Sequence, residues 1–285
     1  MNYGTLYIVA TPIGNLEDIT ARAIRVLGEV DIIAAEDTRH SRGLITHFGL
    51  KTPMISCHKF NEGKRGAFFI DALLEGKSIA LISDAGTPCI SDPGHKLVSE
   101  AAAAGIEIVP VCGASAVIAA VSVSGFDGSQ FAFIGFLPRG KNALNGLIEI
   151  ISCVETVAFY ESPKRIMSTL SVLKEKLPSA QICLCNDISK KFERIYRGTA
   201  EEILAEIFEN PSAEKGEYTC VVNLKISLTD ELHETNSYSL ESQLVDIIVK
   251  TGCTLKEASQ KLHETRKKIS KKEIYSAMLN LKELL

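Results

Sequence analysis

The feature that most constrains this chain is a regular alternation over its first third. Short β-branched runs at Thr5 to Ala10, Asp31 to Ala35, Ser78 to Ser83 and Ile106 to Val109 are separated by amphipathic stretches at Ile19 to Leu27, Asn61 to Leu74 and Pro93 to Ala104. Brief apolar runs bounded by turn residues read as strands buried on both faces. Strands that alternate with helices build a parallel sheet covered by those helices. An α/β layer is therefore expected here. Asp92 is the expected N-cap of the third helix, with Pro93 in its first helical position.

The small-residue stretch Gly113 to Val123 leads into a second α/β region. Strands are expected at Phe131 to Gly135, Glu155 to Tyr160, Gln181 to Cys185, Phe192 to Arg197 and Tyr218 to Ile226. Between them fall a helix from Pro163 capped by Ser162, and a second helix opened by the capping box Thr199-Ala-Glu-Glu202. Antiparallel pairs should be commoner in this region. Past residue 227 the composition changes. A polar linker, Thr229 to Ser239, precedes a helical pattern from Ser239 to Lys250, and the capping boxes Thr254-Leu-Lys-Glu257 and Ser270-Lys-Lys-Glu273 each open another. The expected organisation is an N-terminal α/β domain (1–115), a second α/β domain (116–227) and a helical tail (228–285). The basic turn Arg266 to Lys272 gives that tail a helix-turn-helix aspect, or simply a solvated helix end.

Composition removes several functions. With 31 basic and 35 acidic residues the formal charge is -4, so nucleic acid would have to be met by a local patch rather than by the whole surface. Trp is absent and aromatics make up 6%, which disfavours a base-stacking platform. The eight Cys form no C-x-x-C and mostly sit in apolar runs, as buried free thiols of a reducing cytosol do. No metal-ligand spacing occurs among His and Cys. The apolar run Leu6 to Ala10 is too short for a signal peptide, and the uncharged stretch Ile108 to Phe126 is too rich in Gly, Pro and Ser for a membrane span. A cytoplasmic protein with no membrane attachment is expected.

The densest functional signal is Ser83-Asp-Ala-Gly-Thr-Pro-Cys-Ile-Ser-Asp-Pro-Gly94, which leaves one expected strand and enters a helix. Ligands of open α/β sheets bind at the carboxyl ends of strands. The Ala85-Gly86 step admits a ligand close to the backbone, and Asp84 and Thr87 offer hydrogen bonds to hydroxyls or an ammonium. G-x-G is absent, so the dinucleotide fingerprint fails. Gly76-Lys77-Ser78 runs from helix into strand, the reverse of a P-loop. A second loop, Ala10 to Asp18 with Pro12 and Gly14, leaves the first strand and would share a pocket with the 83–94 loop if their strands are neighbours. A third, Glu36-Asp-Thr-Arg-His-Ser41, is either a site or an N-cap (Asp37 or Thr38) with an ion pair. In the second region Arg139, Lys141, Lys164, Arg165, Lys190 and Lys191 all follow strands and could line a basic track suited to phosphates.

In this order, Thr11-Pro-Ile-Gly-Asn-Leu16, Ala35-Glu-Asp-Thr-Arg-His40, Ser83-Asp-Ala-Gly-Thr-Pro88, Ser91-Asp-Pro-Gly94, Gly135-Phe-Leu-Pro138, Phe159-Tyr-Glu-Ser162 and Lys215-Gly-Glu217 resemble the rRNA-modifying branch of the tetrapyrrole-methylase superfamily, over residues 5 to about 226. The resemblance implies a two-domain tetrapyrrole-methylase-like α/β fold with a small C-terminal helical extension, and S-adenosylmethionine held between the domains. It implies methylation of the ribose 2′-oxygen of a cytidine in 16S rRNA, conventionally position 1402, within the small ribosomal subunit, by a homodimer. The implied cofactor residues are Pro12, Ala85, Gly86, Thr87, Ile90, Ser115, Ala116, Tyr160, Glu161, Ile188 and Tyr218, and Asp84 is expected beside them to favour the sulfonium or amino group of the cofactor. Two departures stand out: Asp187-Ile-Ser-Lys190 replaces a Glu-Leu-Thr-Lys segment, and Cys112 rather than Pro precedes Gly113.

A ribose hydroxyl is a poor acid and needs a base or a cation beside it. Asp37, Arg39 and Glu161 are the expected catalytic groups, with Glu193 as a further base and Lys190 or Arg165 as further cations. Two other functions fit the sequence less well. A small tetrapyrrole substrate calls for an apolar enclosed pocket, and a non-catalytic nucleic-acid binder would work through the tail.

Overall fold

The structure, a computed structural model, describes residues 3–58, 62–138, 154–210, 212–224, 239–265 and 270–284. It divides into two compact units, Met1–Ser227 and Leu228–Leu285.

The first unit opens with β1 (Thr5–Val9), α1 (Ala21–Glu29), β2 (Ile32–Ala35), α2 (Thr38–His47), β3 (Met54–Ser56), α3 (Glu62–Leu74), β4 (Ile79–Ile82), α4 (His95–Ala103) and β5 (Glu107–Val111). These strands form one parallel sheet in the order β3-β2-β4-β1-β5. Every residue of β2 and β4 is buried, as central strands covered by helices on both faces must be. One face packs Phe69 and Leu73 of α3 and Leu97 of α4 against Leu6, Ile79 and Leu81. The other packs Ala23, Val26 and Leu27 of α1 against Val9, Ile33 and Ile82. The chain leaves β1 toward β2 and leaves β4 toward β5. Neighbouring strands thus send their connections to opposite sides, which opens a crevice above their carboxyl ends.

A second sheet follows α5 (Ala116–Ser124). Its elements are β6 (Phe131–Phe136), β7 (Thr156–Glu161), α6 (Ile166–Lys176), β8 (Gln181–Asn186), β9 (Arg194–Gly198), α7 (Ala200–Phe208) and β10 (Tyr218–Asn223). The order is β6-β7-β10-β8-β9, parallel between β6 and β7 and antiparallel elsewhere. The two-sheet α/β architecture expected from the sequence is present. So is the capping box of α7, with Glu202 and Thr199 satisfying each other's backbone N–H.

Two helix starts differ from expectation. Asp92 does not cap α4: the helix begins at His95, and Gly94 occupies the cap position in the left-handed region (φ 118°) with no side-chain cap. Cys89 (φ 68°) and Ser91 (φ 66°) are also left-handed, so the loop bends and leaves Asp92 beside a cavity. Ser162 likewise does not cap a helix at Pro163. Its carbonyl accepts from the N–H groups of Arg165 and Ile166 in a turn, and α6 starts at Ile166.

The second unit holds α8 (Leu240–Thr251), α9 (Leu255–Thr265) and α10 (Lys271–Leu284), packed around Leu244, Ala258, Leu262, Ile274 and Leu281. Both expected capping boxes form, Thr254 with Glu257 and Ser270 with Glu273. Most of the basic turn, 266–269, lies outside the described residues, as does most of the linker. Among the described residues no helix is long and apolar enough to cross a membrane.

Candidate functional site

The loops after β1 and β4 are stitched together. The N–H of Thr11 donates to the carbonyl of Gly86 (2.9 Å), and that of Gly86 donates to the carbonyl of Thr11 (3.1 Å). The Thr87 hydroxyl donates to the carbonyl of Ala114 (3.2 Å), which ties in the loop after β5. The Asp84 carboxylate accepts from the N–H of Asp37 (3.1 Å), which ties in the loop after β2. Four strand ends thus form one cross-bonded rim.

Against this rim the second sheet places the ends of β7 and β10, enclosing a cavity of about 420 Å³. The first-sheet side supplies Asp84, Ala85, Gly86, Thr87 and Ile90, with Ser115 and Ala116 at the start of α5. The second-sheet side supplies Tyr160, Ile188 and Tyr218. Of the residues that the resemblance implies for the cofactor, only Pro12 lies elsewhere. It lines an adjoining cavity of about 280 Å³, which shares Ile13, Asp84, Ala85 and Glu217 with the first.

Orientation of the side chains adds detail. The Tyr218 hydroxyl donates to the carbonyl of Ala213 (2.8 Å), and burial pushes its pKa up to about 12. Tyr160 is packed edge-on between Phe133 and Phe136, with ring centroids 4.8 and 5.4 Å away, and burial raises its pKa too.

The cavity is acidic. Glu36, Asp84 and Asp92 converge on it from the ends of β2 and β4. Burial raises the pKa of Asp92 to about 6, with the charge of Glu36 adding to the effect. Burial, and then the charge of Asp84, raises Glu36. In the sequence Glu36 is one member of a cluster that is either a site or a helix cap, and Asp92 lies in the expected ligand loop but fits the rule for a helix cap; the structure sets both on the cavity wall. The pair Pro93-Gly94 is the signal that could have found Asp92, because a left-handed glycine there moves the helix start beyond it.

The expected catalytic groups are placed otherwise. Asp37 caps α2, accepting from the Arg39 N–H (2.8 Å), and pairs with the Arg39 guanidinium (2.7 Å). That guanidinium holds the Asp37 carboxyl well below the usual range. Neither residue is part of either cavity wall. Glu161 borders the first cavity, yet its carboxylate is committed to the Ser162 N–H (2.7 Å), the Thr169 hydroxyl (2.9 Å) and Arg165 (3.2 Å). Glu193 receives the Ser189 N–H.

The expected basic track divides. Arg139 and Lys141 lie outside the described residues. Arg165 is an internal tie, donating to the carbonyls of Leu137 (2.9 Å) and Pro138 (3.0 Å). Lys190 is held by Asp187 and Glu217, both at 2.9 Å. Lys164 is exposed, and so is Lys191, whose ammonium lies 5.5 Å from the Phe192 ring centroid.

Solved structures share this architecture. Diphthine synthase aligns with a TM-score of 0.62 at 14% identity, over 77% of this chain and 90% of that one. Uroporphyrin-III C-methyltransferase from Thermus thermophilus, complexed with S-adenosylhomocysteine, aligns with a TM-score of 0.55 at 16% identity, over 77% and 97%. These likenesses show the two-sheet fold. The model of tetrapyrrole (corrin/porphyrin) methylases matches residues 5–204, and the chain belongs to that family. It is 41% identical over 96% of its length, and 94% of the other's, to ribosomal RNA small subunit methyltransferase I of Halalkalibacterium halodurans.

The methyl donor of this family is S-adenosylmethionine, and the cavity fits it. A sulfonium and an ammonium are cations, and Glu36, Asp84 and Asp92 supply the opposing charge, while Ile13, Ile90 and Phe136 give apolar contact area. The volume of about 420 Å³ falls within the range of roughly 300–1,000 Å³ usual for such ligands. Among the described residues no grouping is placed to hold a metal ion.

The raised Asp92 pKa gives a prediction with a definite sign. In the unfolded chain this carboxyl titrates near 3.8, and in the folded protein near 6. The folded state holds the proton more tightly, so this group's contribution to stability is complete below pH 4 and is lost as pH rises through 6. Asp92→Asn should therefore raise stability at pH 7.5, by about 1–2 kcal/mol after allowance for solvent screening, and change little at pH 4. Thermal melts of both proteins at both pH values check it. A bound cation reverses the preference, so affinity for the donor should climb between pH 5 and 7.

Proposed function

We propose that this methyltransferase transfers the methyl group of S-adenosylmethionine to the ribose 2′-oxygen of a cytidine in 16S rRNA, acting on the small ribosomal subunit. The observation that carries this reading is the near full-length likeness to ribosomal RNA small subunit methyltransferase I, joined to a crevice that accepts a cationic donor. When bound, S-adenosylmethionine supplies an electrophilic methyl carbon on a positively charged sulfur. The chain's part is alignment: the rim of hydrogen-bonded loops fixes the donor so that an oxygen can approach in line, at about 3 Å. Asp84 and Glu217 line both cavities and would take the hydroxyl proton, Glu217 from within its ion pair with Lys190, whereas Asp37 and Arg39 line neither cavity and Glu161 is committed to Ser162, Thr169 and Arg165. A homodimer is part of the same proposal, and α5 exposes Ile118 and Val123 as apolar contact area.

A tetrapyrrole substrate is disfavoured because the space beside the donor site is a separate chamber of only about 280 Å³. The deciding experiment incubates the protein with labelled S-adenosylmethionine and small subunits that lack the modification, then maps the methylated nucleotide. Label on a cytidine ribose is the expected result. Label on a base, or only on a tetrapyrrole offered in parallel, overturns the proposal.

A further inference from the structure

The backbone at Gly14 is not left-handed, so its conformation does not call for glycine. Close approach does. A Cβ on Gly14 would overlap Cγ of Lys190 and would lie 3.2 Å from its Cε and 3.3 Å from its Cδ. The loop after β1 and the loop between β8 and β9 thus meet across the cleft, with the lysine stem lying on bare backbone. A second tie joins the Ser189 hydroxyl to the Asp18 carboxylate. Past Gly14 the Lys190 ammonium reaches Asp187 and Glu217.

The loop that carries this lysine is held from several sides. The Asp187 N–H donates to the Glu217 carbonyl (2.9 Å), the Glu217 N–H donates to the Asp187 carboxylate (3.2 Å), and the Lys190 N–H donates to the Asp187 carbonyl (2.9 Å). Asp187 (φ 52°) and Ser189 (φ 69°) are both left-handed, a conformation that residues other than glycine keep only where their surroundings enforce it. Between them sits Ile188, on the wall of the donor cavity. Ile13, next to Gly14, and Glu217 belong to the same wall. Three pieces of that wall, from both sheets, are therefore gathered by one side chain that lines only the smaller cavity.

We propose that Lys190 is a positioning residue, a strap that binds the loop after β1 to the β8–β9 loop and the start of β10 and so sets how fast the donor and its demethylated product exchange. The inference rests on the donor binding that underlies the proposed function, and it is independent of which oxygen accepts the methyl group. Two of the three ammonium N–H donors are committed to carboxylates, which suits a strap better than a phosphate contact. Undoing it frees Ile188 and Glu217 together. A ligand enclosed by walls from two sheets leaves sooner when one wall can move, and such changes fall mainly on the dissociation rate.

The test follows release of S-adenosylhomocysteine from the full chain by stopped flow, with thermal melts alongside. Lys190→Met keeps the stem and removes the ammonium, and should release the product roughly tenfold faster or more. Lys190→Arg keeps stem and charge and should fall nearer the parent. Gly14→Ala drives the stem off the β1 loop and should also speed release roughly tenfold. In a Lys190→Ala background the overlap with Cγ is gone, so Gly14→Ala should then add no more than about twofold. Should Gly14→Ala fail to fold, Lys190→Met and Lys190→Arg still decide the matter. Release at the parental rate by Lys190→Met, equal release by Lys190→Met and Lys190→Arg, or an effect of Gly14→Ala that is the same with and without Lys190 would each overturn the strap. Failure of the parent chain to bind S-adenosylhomocysteine would instead sink the donor site itself.

Discussion

Gly86→Val should abolish measurable donor binding, and Gly86→Ala should weaken it at least tenfold, while Gly49→Ala leaves it unchanged. Both glycines have left-handed backbones, φ 78° at Gly86 and 64° at Gly49, so any side chain at either costs roughly 1–2 kcal/mol of backbone strain. Their surroundings differ. A Cβ at Gly49, just past the end of α2, meets nothing within 4 Å. A Cβ at Gly86 comes within 3.3 Å of Cγ2 of Ile13 and 3.7 Å of the Ala114 carbonyl. It presses on a residue that lines both cavities, and it strains the paired hydrogen bonds to Thr11 that fix the two loops. Gly49→Ala therefore measures strain alone, and the difference between the two variants isolates the site. Valine adds a branched side chain where β-branched residues are genuine outliers. Calorimetric titration with S-adenosylhomocysteine, alongside thermal melts, gives both numbers. Equal binding by Gly86→Ala and Gly49→Ala would show that the β1–β4 rim does not shape the donor site.

That rim was legible in the sequence because its chemistry is local. Gly, Pro and Asp clusters at strand ends announce loops that bend sharply and carry polar groups, and the strands behind them are set by apolar runs. Elements with weak local patterns stayed hidden. The three-residue edge strand Met54–Ser56 has too few residues to show a period. Helix α2 spans a polar stretch whose buried positions are only Ser41 and Ile45, so the sequence shows its N-cap and ion pair at Asp37 but not its extent. The roles of charged side chains were least legible, because they depend on partners fixed by tertiary structure. Asp92 follows the rule for a helix cap, and the left-handed turn at Gly94 overrides it. Arg165 and Lys190 look like free cations past strands. The folded chain turns them inward, onto Glu161 and two carbonyls in one case and onto Asp187 and Glu217 in the other.

Arg165→Met should consequently unfold more readily by about 3 kcal/mol, a fall of roughly 5–10 °C in Tm, whether or not RNA is present. The Glu161 side chain is fully buried, and Arg165, 31% exposed, is the cation that compensates it. Removing the guanidinium leaves a desolvated carboxylate with two hydrogen bonds, from the Ser162 N–H and the Thr169 hydroxyl, and also releases the carbonyls of Leu137 and Pro138. The penalty comes from the charge left behind rather than from the lost bridge. It follows that the double variant Glu161→Gln, Arg165→Met should recover part of the loss, since a neutral amide needs no cation. Lys164→Gln and Lys191→Gln provide the contrast. Both lysines are exposed, so both variants should melt like the parent. If they meet RNA phosphates, each should lower the slope of log affinity against log salt by about 0.7–0.9. An Arg165→Met protein that melts normally but loses RNA affinity with a reduced salt slope would return that residue to the basic track and leave the burial of Glu161 without its counter-charge.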